Sequence, residues 1–476
     1  MHYTRAFLKL TLGLCVLSCA LVTYAIVSHK QIQLPENLRH IQLTDSQVKL
    51  FSDKRTIKPE VGQIVMFGLQ NATWAFGVVS KFLHDEYYEI SAFDNPSIHK
   101  TLPLSSIKTL HFTWNQLFQP TISLEVMRDL LDERIDYYRT HGAPDGHGMI
   151  LSAHSKIAIL GDLHGNFSSL QNHLARMYKD GLIDDQFHLK PDCYVVGLGD
   201  YAGDGCQGIL VLKTLLTLQK LNPDQVFLLC GDHEDASNAQ INGFQKEWYG
   251  AFGRTKKEFC LSELVWLKML MIWKSLPKVL LVGLQMPSTQ RYDFLMFCHG
   301  SCDMAWRPDA FMSKLVEKHI DQCYKSPCVI GYRDQLCHDS RSFVTGTFVD
   351  DADIAKVRAK KPDGQDQKTI LSKSVFEQFI KHFASRIDKK YMYQYCLCAI
   401  VRGHDHIPGG IVVLKKSNLK TWKPLKNNKV YEIEPCSVYT CTSGSQCMSK
   451  AGCFDGAYGL IRAGSNGHWY ISSHRE

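Results

Sequence analysis

The sequence lacks most of the signatures that assign a chain to a specialised class at once. Its 476 residues hold no internal repeat and no low-complexity tract, and 45% are hydrophobic against 21% charged. That composition excludes collagen-like repeats and intrinsic disorder, and the length excludes a tiny disulfide-stapled fold. No basic run carries interleaved aromatics, and 54 basic against 47 acidic residues leave a net charge of +7. So mild a surplus, spread along the chain, does not call for nucleic acid. No two cysteines stand in CxxC spacing, which argues against a zinc site. One long run is free of charge, Leu10–Val27. What the chain does have is length: at roughly 100–200 residues per domain it can build two or three domains with a sizeable core.

The uncharged run opens the chain, with Arg5 and Lys9 just before it. A bilayer is crossed by about 20 apolar residues, so residues 1–30 read as a signal-anchor or transmembrane helix, or as a secretory signal cut near Ala25. A buried core helix fits less well, because basic residues flank one side alone. The positive-inside rule sets Arg5 and Lys9 in the cytoplasm. The expected localisation is therefore a single-pass membrane anchor or export, with everything after Lys30 on the non-cytoplasmic side. The seventeen cysteines do not decide the compartment. Cys15 and Cys19 lie in the apolar run, and Cys230 and Cys298 end strand-like runs, as ordinary buried thiols do. Cys323, Cys328 and Cys337 cluster, as do Cys436, Cys441, Cys447 and Cys453; disulfides among them would need an oxidising compartment, and spacing gives no connectivity.

Residues 31–55 are polar and aperiodic, a linker. Over 56–115 short runs alternate aromatic and β-branched residues with polar ones: Val61–Phe67, Trp74–Phe82, Tyr87–Phe93 and Thr101–Leu110. Gly, Asn and Asp mark the turns. This is the pattern of a small SH3-like or Tudor-like β-barrel, either a peptide-binding module or a structural appendage. A connecting helix is expected in 120–145, since Leu124, Met127, Leu130, Leu131 and Ile135 recur at helical spacing behind Ser123 as N-cap. The stretch Gly142–Gly148 reads as a loop. Beyond it, over 150–476, apolar runs at Ile157–Leu160, Tyr194–Leu198, Val226–Cys230, Phe294–Cys298 and Cys398–Val401 each close on a polar cluster. Strand, polar cluster and helix in succession predict an α/β layered fold with ligands gathered at the strand ends. The charged stretch Lys356–Lys373 reads as a solvated loop leading into a helix.

The clusters are Gly161-Asp162-Leu163-His164-Gly165, Gly199-Asp200-Tyr201, Gly231-Asp232-His233-Glu234, Cys298-His299-Gly300 and Gly403-His404-Asp405-His406. Each sets Asp or His directly behind a strand, with Gly beside it. Carboxylates and neutral imidazoles are ligands for Mn, Fe or Zn ions, and Gly leaves room for ions and substrate. One buried Asp or His is usually a satisfied core group. Five clusters in register with five strand ends are not explained that way. Seven candidate ligands exceed what one ion needs and point to a two-metal site, in which ions about 3.5–4 Å apart activate water and stabilise the leaving oxygen.

This ordered set resembles the calcineurin-like metallophosphoesterases, and more closely the PPP branch of Ser/Thr protein phosphatases, over residues 150–476. The segment Asn238–Trp248 (NAQINGFQKEW), the apolar stretch Leu264–Val282, Ile400–His404 and the late runs Thr440–Gly444 and Gly456–Ile461 share the likeness. The resemblance implies a β-sandwich flanked by helices that hydrolyses phosphomonoesters with two divalent ions (Mn, Fe or Zn). By it, Asp162 and His164 hold the first ion, Asp200 bridges, and Asp232, His299 and His404 hold the second. His406, as the second His of a GHxH motif, would add a ligand to the first. His233 would be the general acid, and a hydroxide activated between the ions the nucleophile. The partner the resemblance implies is a phosphoprotein; the N-terminal run would add a membrane, and the barrel, where it is a binding module rather than an appendage, a peptide.

Three departures from the family pattern matter. Asp232 stands where the family has Asn, adding a negative charge that should tighten metal binding and weaken attraction for a phosphate dianion. Gly203-Asp204-Gly205 stands where the family has Asp-Arg-Gly. The Asp that orients the catalytic His is thus absent or moved to Asp204, and the Arg that grips phosphate is gone. Arg402, Arg307 and Lys368 are the candidate replacements, Arg402 foremost. Two other functions compete. Hydrolysis of a small phosphorylated molecule, such as a dinucleoside polyphosphate, fits poorly with the long interval between His299 and His404. A catalytically weakened binding module fits poorly with ligand positions that all still hold competent ligands.

Overall fold

The computed structural model describes residues 42–44, 64–68, 73–83, 87–92, 99–103, 107–109, 122–141, 146–203, 205–286, 291–301, 309–322, 325, 327–332, 347–349, 370–372, 386–387, 393–405, 410–415, 418–435, 437–443 and 456–475. The uncharged run Leu10–Val27 lies outside them. Among the described residues no helix is long and apolar enough to cross a membrane. The single-pass anchor, and the localisation built on it, are therefore withdrawn: spanning takes about 20 consecutive apolar residues, and the 20-residue helix Lys256–Ser275 carries Lys256, Lys257, Glu258, Glu263, Lys268 and Lys274.

Short alternating runs make the first sheet. β1 (Gln42–Thr44), β2 (Ile64–Gly68), β3 (Thr73–Phe82), β4 (Tyr87–Ala92), β5 (His99–Pro103) and β6 (Ile107–Thr109) pair antiparallel in the order β5–β4–β3–β2–β6, with β1 on β3. The expected run Thr101–Leu110 is two strands rather than one. No ladder among the described residues joins β5 to β6, so the closed barrel expected here is not established. Helix α1 (Leu124–His141) follows, its first turn capped by Ser123, whose Oγ accepts from Val126 N at 3.2 Å. Its apolar stripe Met127, Leu131, Ile135 and Tyr138 is buried.

The remaining elements form a layered fold. In chain order they begin β7 (Gly146–Leu151), β8 (Lys156–Leu160), α2 (Phe167–Lys179), β9 (Cys193–Gly197), α3 (Gly208–Leu221), β10 (Val226–Leu228), α4 (Ala236–Ile241), α5 (Phe244–Phe252) and α6 (Lys256–Ser275). Next come β11 (Val279–Gln285), β12 (Arg291–Cys298), α7 (Asp309–Asp321), β13 (Cys328–Tyr332), β14 (Thr347–Val349), β15 (Ile370–Ser372), β16 (Arg386–Ile387) and β17 (Gln394–Arg402). The chain closes with β18 (Ile411–Lys415), β19 (Asn418–Pro424), β20 (Val430–Glu432), β21 (Ser437–Cys441), β22 (Ala457–Ala463) and β23 (Trp469–Arg475). One sheet runs β10–β9–β8–β22–β23–β20; the other runs β13–β7–β11–β12–β17–β21–β18–β19, with β16 on β17. β14 and β15 pair with each other, so the end of the stretch read as a solvated loop is a strand. Gly142–Gly148 is likewise no simple loop, since its last residues open β7.

A period of two divides the side chains among three cores. Along β8, Ile157 and Ile159 point between the sheets, while Ala158 and Leu160 point outward. Along β12, Leu295 and Phe297 point between the sheets, while Phe294 and Met296 point out to α7. The outer face of the sheet β10–β9–β8–β22–β23–β20 is covered by α1, α2, α3, α5 and α6, through Leu131, Leu170, Leu215, Trp248 and Trp266 among others. Phe311, Met312, Leu315 and Val316 of α7 cover the outer face of the sheet that holds β12 and β17. Each such side chain contributes roughly 1.5–3 kcal/mol by leaving water. β8, β9 and β10 run parallel, as do β12, β17 and β21. Asp162, just past β8, bridges Thr442, just past β21, and so joins the two sheets at one edge.

Candidate metal centre

The described residues of all five polar clusters gather at that edge. Three of their residues take a left-handed backbone: His164 at φ 45°, Asp200 at φ 55° and His404 at φ 67°. Non-glycine residues adopt this conformation at a cost of order 1–3 kcal/mol, and such strain concentrates at functional sites. Backbone hydrogen bonds hold it in place: Leu163 N and His164 N both donate to Asp200 O, at 3.0 and 2.9 Å. The glycines have packing reasons. A Cβ on Gly403 would stand 2.2 Å from Asp162 Oδ1, and one on Gly203 would meet the Nδ1 atoms of His233 and His164 at 2.6 and 2.7 Å.

The donors fall into two groups, His164 with Asp200 and His233, and Asp232 with His299 and His404; within each the donor atoms lie within 4.8 Å of one another. The Asp200 carboxylate touches both. Its Oδ2 is 3.2 Å from His299 Nε2, 3.7 Å from His164 Nε2 and 3.8 Å from His233 Nε2. Its Oδ1 accepts from His233 N at 3.0 Å. Asp232 Oδ1 lies 3.1 Å from His299 Nε2 and 3.3 Å from His404 Nδ1. Asp162 reaches the second group: its Oδ1 accepts from His404 N at 3.0 Å and lies 3.7 Å from His299 Nδ1. Asp204, His406, Arg307 and Lys368 lie outside the described residues. Arg402 is fully buried, and its Nη1 donates to Asp405 Oδ2 at 2.6 Å, so it is not open to the cleft as it stands.

Charge in this edge is tightly coupled. Burial pushes the Asp232 carboxyl up, but hydrogen bonds from His299 and His404 and their charge together hold it well below the usual carboxylate range. Burial disfavours charge on His299, yet Asp200 and Asp162 hold its imidazole well above the usual value. The carboxylates here demand positive charge. His299 also meets the geometric requirement for a metal ligand: its Nδ1 donates to Leu198 O at 3.0 Å, which fixes the ring and points Nε2 at Asp200 and Asp232. Three carboxylates, from Asp162, Asp200 and Asp232, and the imidazoles of His164, His299 and His404 fit a pair of divalent ions and leave His233 over.

Three residues escape sequence reasoning. Glu234, quoted in its cluster but given no role, accepts from Asp200 N at 2.7 Å, Gly231 N at 2.9 Å and Tyr201 N at 3.0 Å. It is a buried clamp on the loops; burial and the Asp200 charge raise its carboxyl to about 7. Asn242, which follows α4, sets its Nδ2 2.8 Å from His233 Nδ1, while its Oδ1 accepts from Phe244 N at 3.2 Å. Glu247 of α5 accepts from Gly208 N and Ile209 N at 3.1 and 3.0 Å and so caps α3. The two latter residues lie in the segment Asn238–Trp248, whose family likeness was the available signal.

The calcineurin-like phosphoesterase family matches residues 155–408. A curated relative, serine/threonine-protein phosphatase 7 of Arabidopsis thaliana, is 33% identical over 114 residues, which are 23% of this chain and 25% of the relative. The match thus spans about a quarter of that relative's length. Among solved structures, a protein serine/threonine phosphatase from Saccharomyces cerevisiae with similarity to human phosphatase PP5 aligns over 75% of this chain and 90% of its own, at 16% identity and a TM-score of 0.46. A cold-active protein-tyrosine phosphatase of a psychrophilic Shewanella species aligns over 86% of this chain and 97% of its own, at 14% identity and a TM-score of 0.33. The PPP-type likeness of the motifs agrees with the Arabidopsis relative. With the family match covering more than half of its length and both donor groups inside that span, the chain belongs to the calcineurin-like phosphoesterases.

Proposed function

We propose that this chain is a metal-dependent phosphoester hydrolase acting on phosphoproteins. The observation that carries the reading is the Asp200 carboxylate, whose one oxygen lies within 3.8 Å of imidazole nitrogens from both donor groups, as a bridging ligand must. Asp162, His164, Asp200, Asp232, His299 and His404 would hold two divalent ions (Mn, Fe or Zn), with His406 as an added ligand. Such ions, when bound, supply Lewis-acid charge and an activated water.

The chain's own groups do the rest. His233 faces Asp200 through Nε2 and is the proposed general acid for the leaving oxygen. The Asn242 amide donates to Nδ1, which makes Nδ1 the acceptor of the neutral ring and puts the proton on Nε2, the edge facing the site. Asp204 is the other candidate for orienting this ring. Glu234 holds the Asp200 and Tyr201 backbone in place. Arg402 would meet phosphate only after its pair with Asp405 opens. The ions themselves would then carry most of the phosphate's charge.

Phosphoprotein substrates are supported by the likeness to a Ser/Thr phosphatase. The test is Mn²⁺-dependent hydrolysis of an aryl phosphate and of phosphopeptides, beside His233→Ala and Asp200→Asn. Loss of a positioned proton donor costs about 10²–10⁴-fold. A chain that binds two ions yet turns over no faster than these variants would overturn the reading.

A further inference from the structure

At the far end of the strands that carry His299 and His404 lies a third group of metal-type donors: Asp293 of β12 with Cys396 and Cys398 of β17. Asp293 precedes His299 by six residues, about 20 Å of strand. β12 and β17 are parallel, with Asp293 opposite Cys396. The register then slips. Phe294 pairs with Leu397 and Leu295 with Ala399, which leaves Cys398 as the extra residue of a bulge. A regular strand spaces residues two apart by about 7 Å, whereas here the two sulfurs converge to 3.4 Å. Cys396 Sγ is 2.9 Å from Asp293 Oδ1. Both thiols are free and buried.

Arg291 and Trp469 hold the carboxylate and its backbone. Arg291 Nε donates to Asp293 Oδ1 at 2.7 Å, and Arg291 Nη2 lies 3.4 Å from Cys396 Sγ. Trp469 Nε1 donates to the Asp293 carbonyl at 3.0 Å. The Arg291 side chain is 36% exposed, a route to solvent. An Arg–Asp pair alone would explain Asp293; it does not explain why a bulge brings two thiols onto the same carboxylate.

We propose that Asp293, Cys396 and Cys398 form a binding site for a thiophilic divalent cation of the Zn²⁺ type, separate from the phosphoesterase centre. Thiolates select such ions over Mg²⁺, Ca²⁺ or Mn²⁺. Charge selects the valence: two thiolates and one carboxylate carry three negative charges, and Arg291 with a divalent ion brings three positive ones. A monovalent ion would leave a net charge in a buried place. Binding releases the two thiol protons to solvent, and three protein ligands leave one tetrahedral position for water on the Arg291 side. Spacing alone hides the site, since Cys396-Leu397-Cys398 is not CxxC and the carboxylate comes from 103 residues upstream.

The test uses the full chain, stripped of metal and titrated with Cd²⁺, reading the thiolate-to-metal charge-transfer absorption that Asp and His donors cannot give. One equivalent should produce the band, Zn²⁺ should displace it and Mn²⁺ should not. Cys396→Ser and Cys398→Ser should each cut it by at least half, and Asp293→Asn should keep it with binding weakened about 10-fold. In the unaltered chain, Zn²⁺ should slow alkylation of Cys396 and Cys398 but not of the exposed Cys206 and Cys260. A full band in either Cys variant, no protection by Zn²⁺, or an isolated Cys396–Cys398 peptide lighter by two hydrogens would overturn the site. None of these readouts depends on phosphate hydrolysis.

Discussion

Asn242→Ala should lower kcat of the proposed hydrolysis while leaving KM nearly unchanged. The Asn242 amide is fixed at both ends: Nδ2 lies 2.8 Å from His233 Nδ1, and Oδ1 accepts from Phe244 N at 3.2 Å. Asn242 N–H is itself bound to Asn238 O at 2.9 Å, so the residue is held as the C-cap of α4. Truncation removes the hydrogen bond that selects the His233 tautomer and steadies the ring. The ring keeps its edge contact with His164, at 4.5 Å between centroids, so it is loosened rather than lost. Misplacing a catalytic group by about 1 Å costs about 10²-fold, and with partial support retained we expect about 10–100-fold, or about 1.4–2.7 kcal/mol. The effect should depend on the leaving group. A nitrophenyl phosphate departs with little help from an acid, whereas a phosphoserine peptide needs the proton, so the peptide should suffer more. Asn242→Ala added to His233→Ala should cost nothing further, because the amide acts through the ring. An equal penalty on both substrates, or full additivity with His233→Ala, would refute the reasoning.

Asp232→Asn removes one negative charge from the edge; Mn²⁺ binding by calorimetry should weaken about 10-fold or more, and KM for a phosphate dianion should fall, while unchanged metal affinity would defeat the charge argument. Gly403→Ala forces a Cβ to 2.2 Å from Asp162 Oδ1 and 3.1 Å from His299 Nδ1; activity should drop about 10²-fold with the circular dichroism spectrum intact, and full activity would mean that the loop yields freely. Burial lowers the Lys213 amine from 10.5 to about 8. Between those values the unfolded chain binds more protons, so stability should rise with pH from about 8 to about 10.5, by up to about 3 kcal/mol. Lys213→Met should stabilise the chain at pH 7 and flatten that rise in denaturant titrations; a variant less stable at pH 7 would contradict it.

The strand-end clusters are legible in the sequence because each combines a local signal, a short β-branched run, with a chemical one, Asp or His behind Gly. Where the local signal points the wrong way, the cause is a distant contact. The stretch Gly142–Gly148 reads as a loop on its glycines, yet Gly146 and Gly148 stand in β7, where a Cβ would meet Val279 at 2.8 Å and Phe311 at 2.8 Å. Those glycines mark the close approach of β11 and α7, which nothing nearby in sequence announces. Leu264–Val282 reads as one apolar stretch but changes period after Ser275: α6 ends, Pro277 intervenes, and β11 begins at Val279. Glu234 gets no role from the sequence because a carboxylate that grips three backbone amides and one that grips a metal are the same residue type at the same place in a motif. Arg402 shows the limit most plainly. It stands two residues before His404 and is the nearest cation to the motif, which makes it the natural phosphate partner on paper. Alternation along β17 places Val401 between the sheets and Ile400 on the face toward α7, so Arg402, next in the alternation and paired with Cys298 of that same outer core, turns away from the inner face. Asp405 then folds back to meet it. Proximity in sequence to a strand-end motif therefore assigns an edge of the sheet, while for a residue still inside the strand the face it occupies decides whether its side chain can share the cleft.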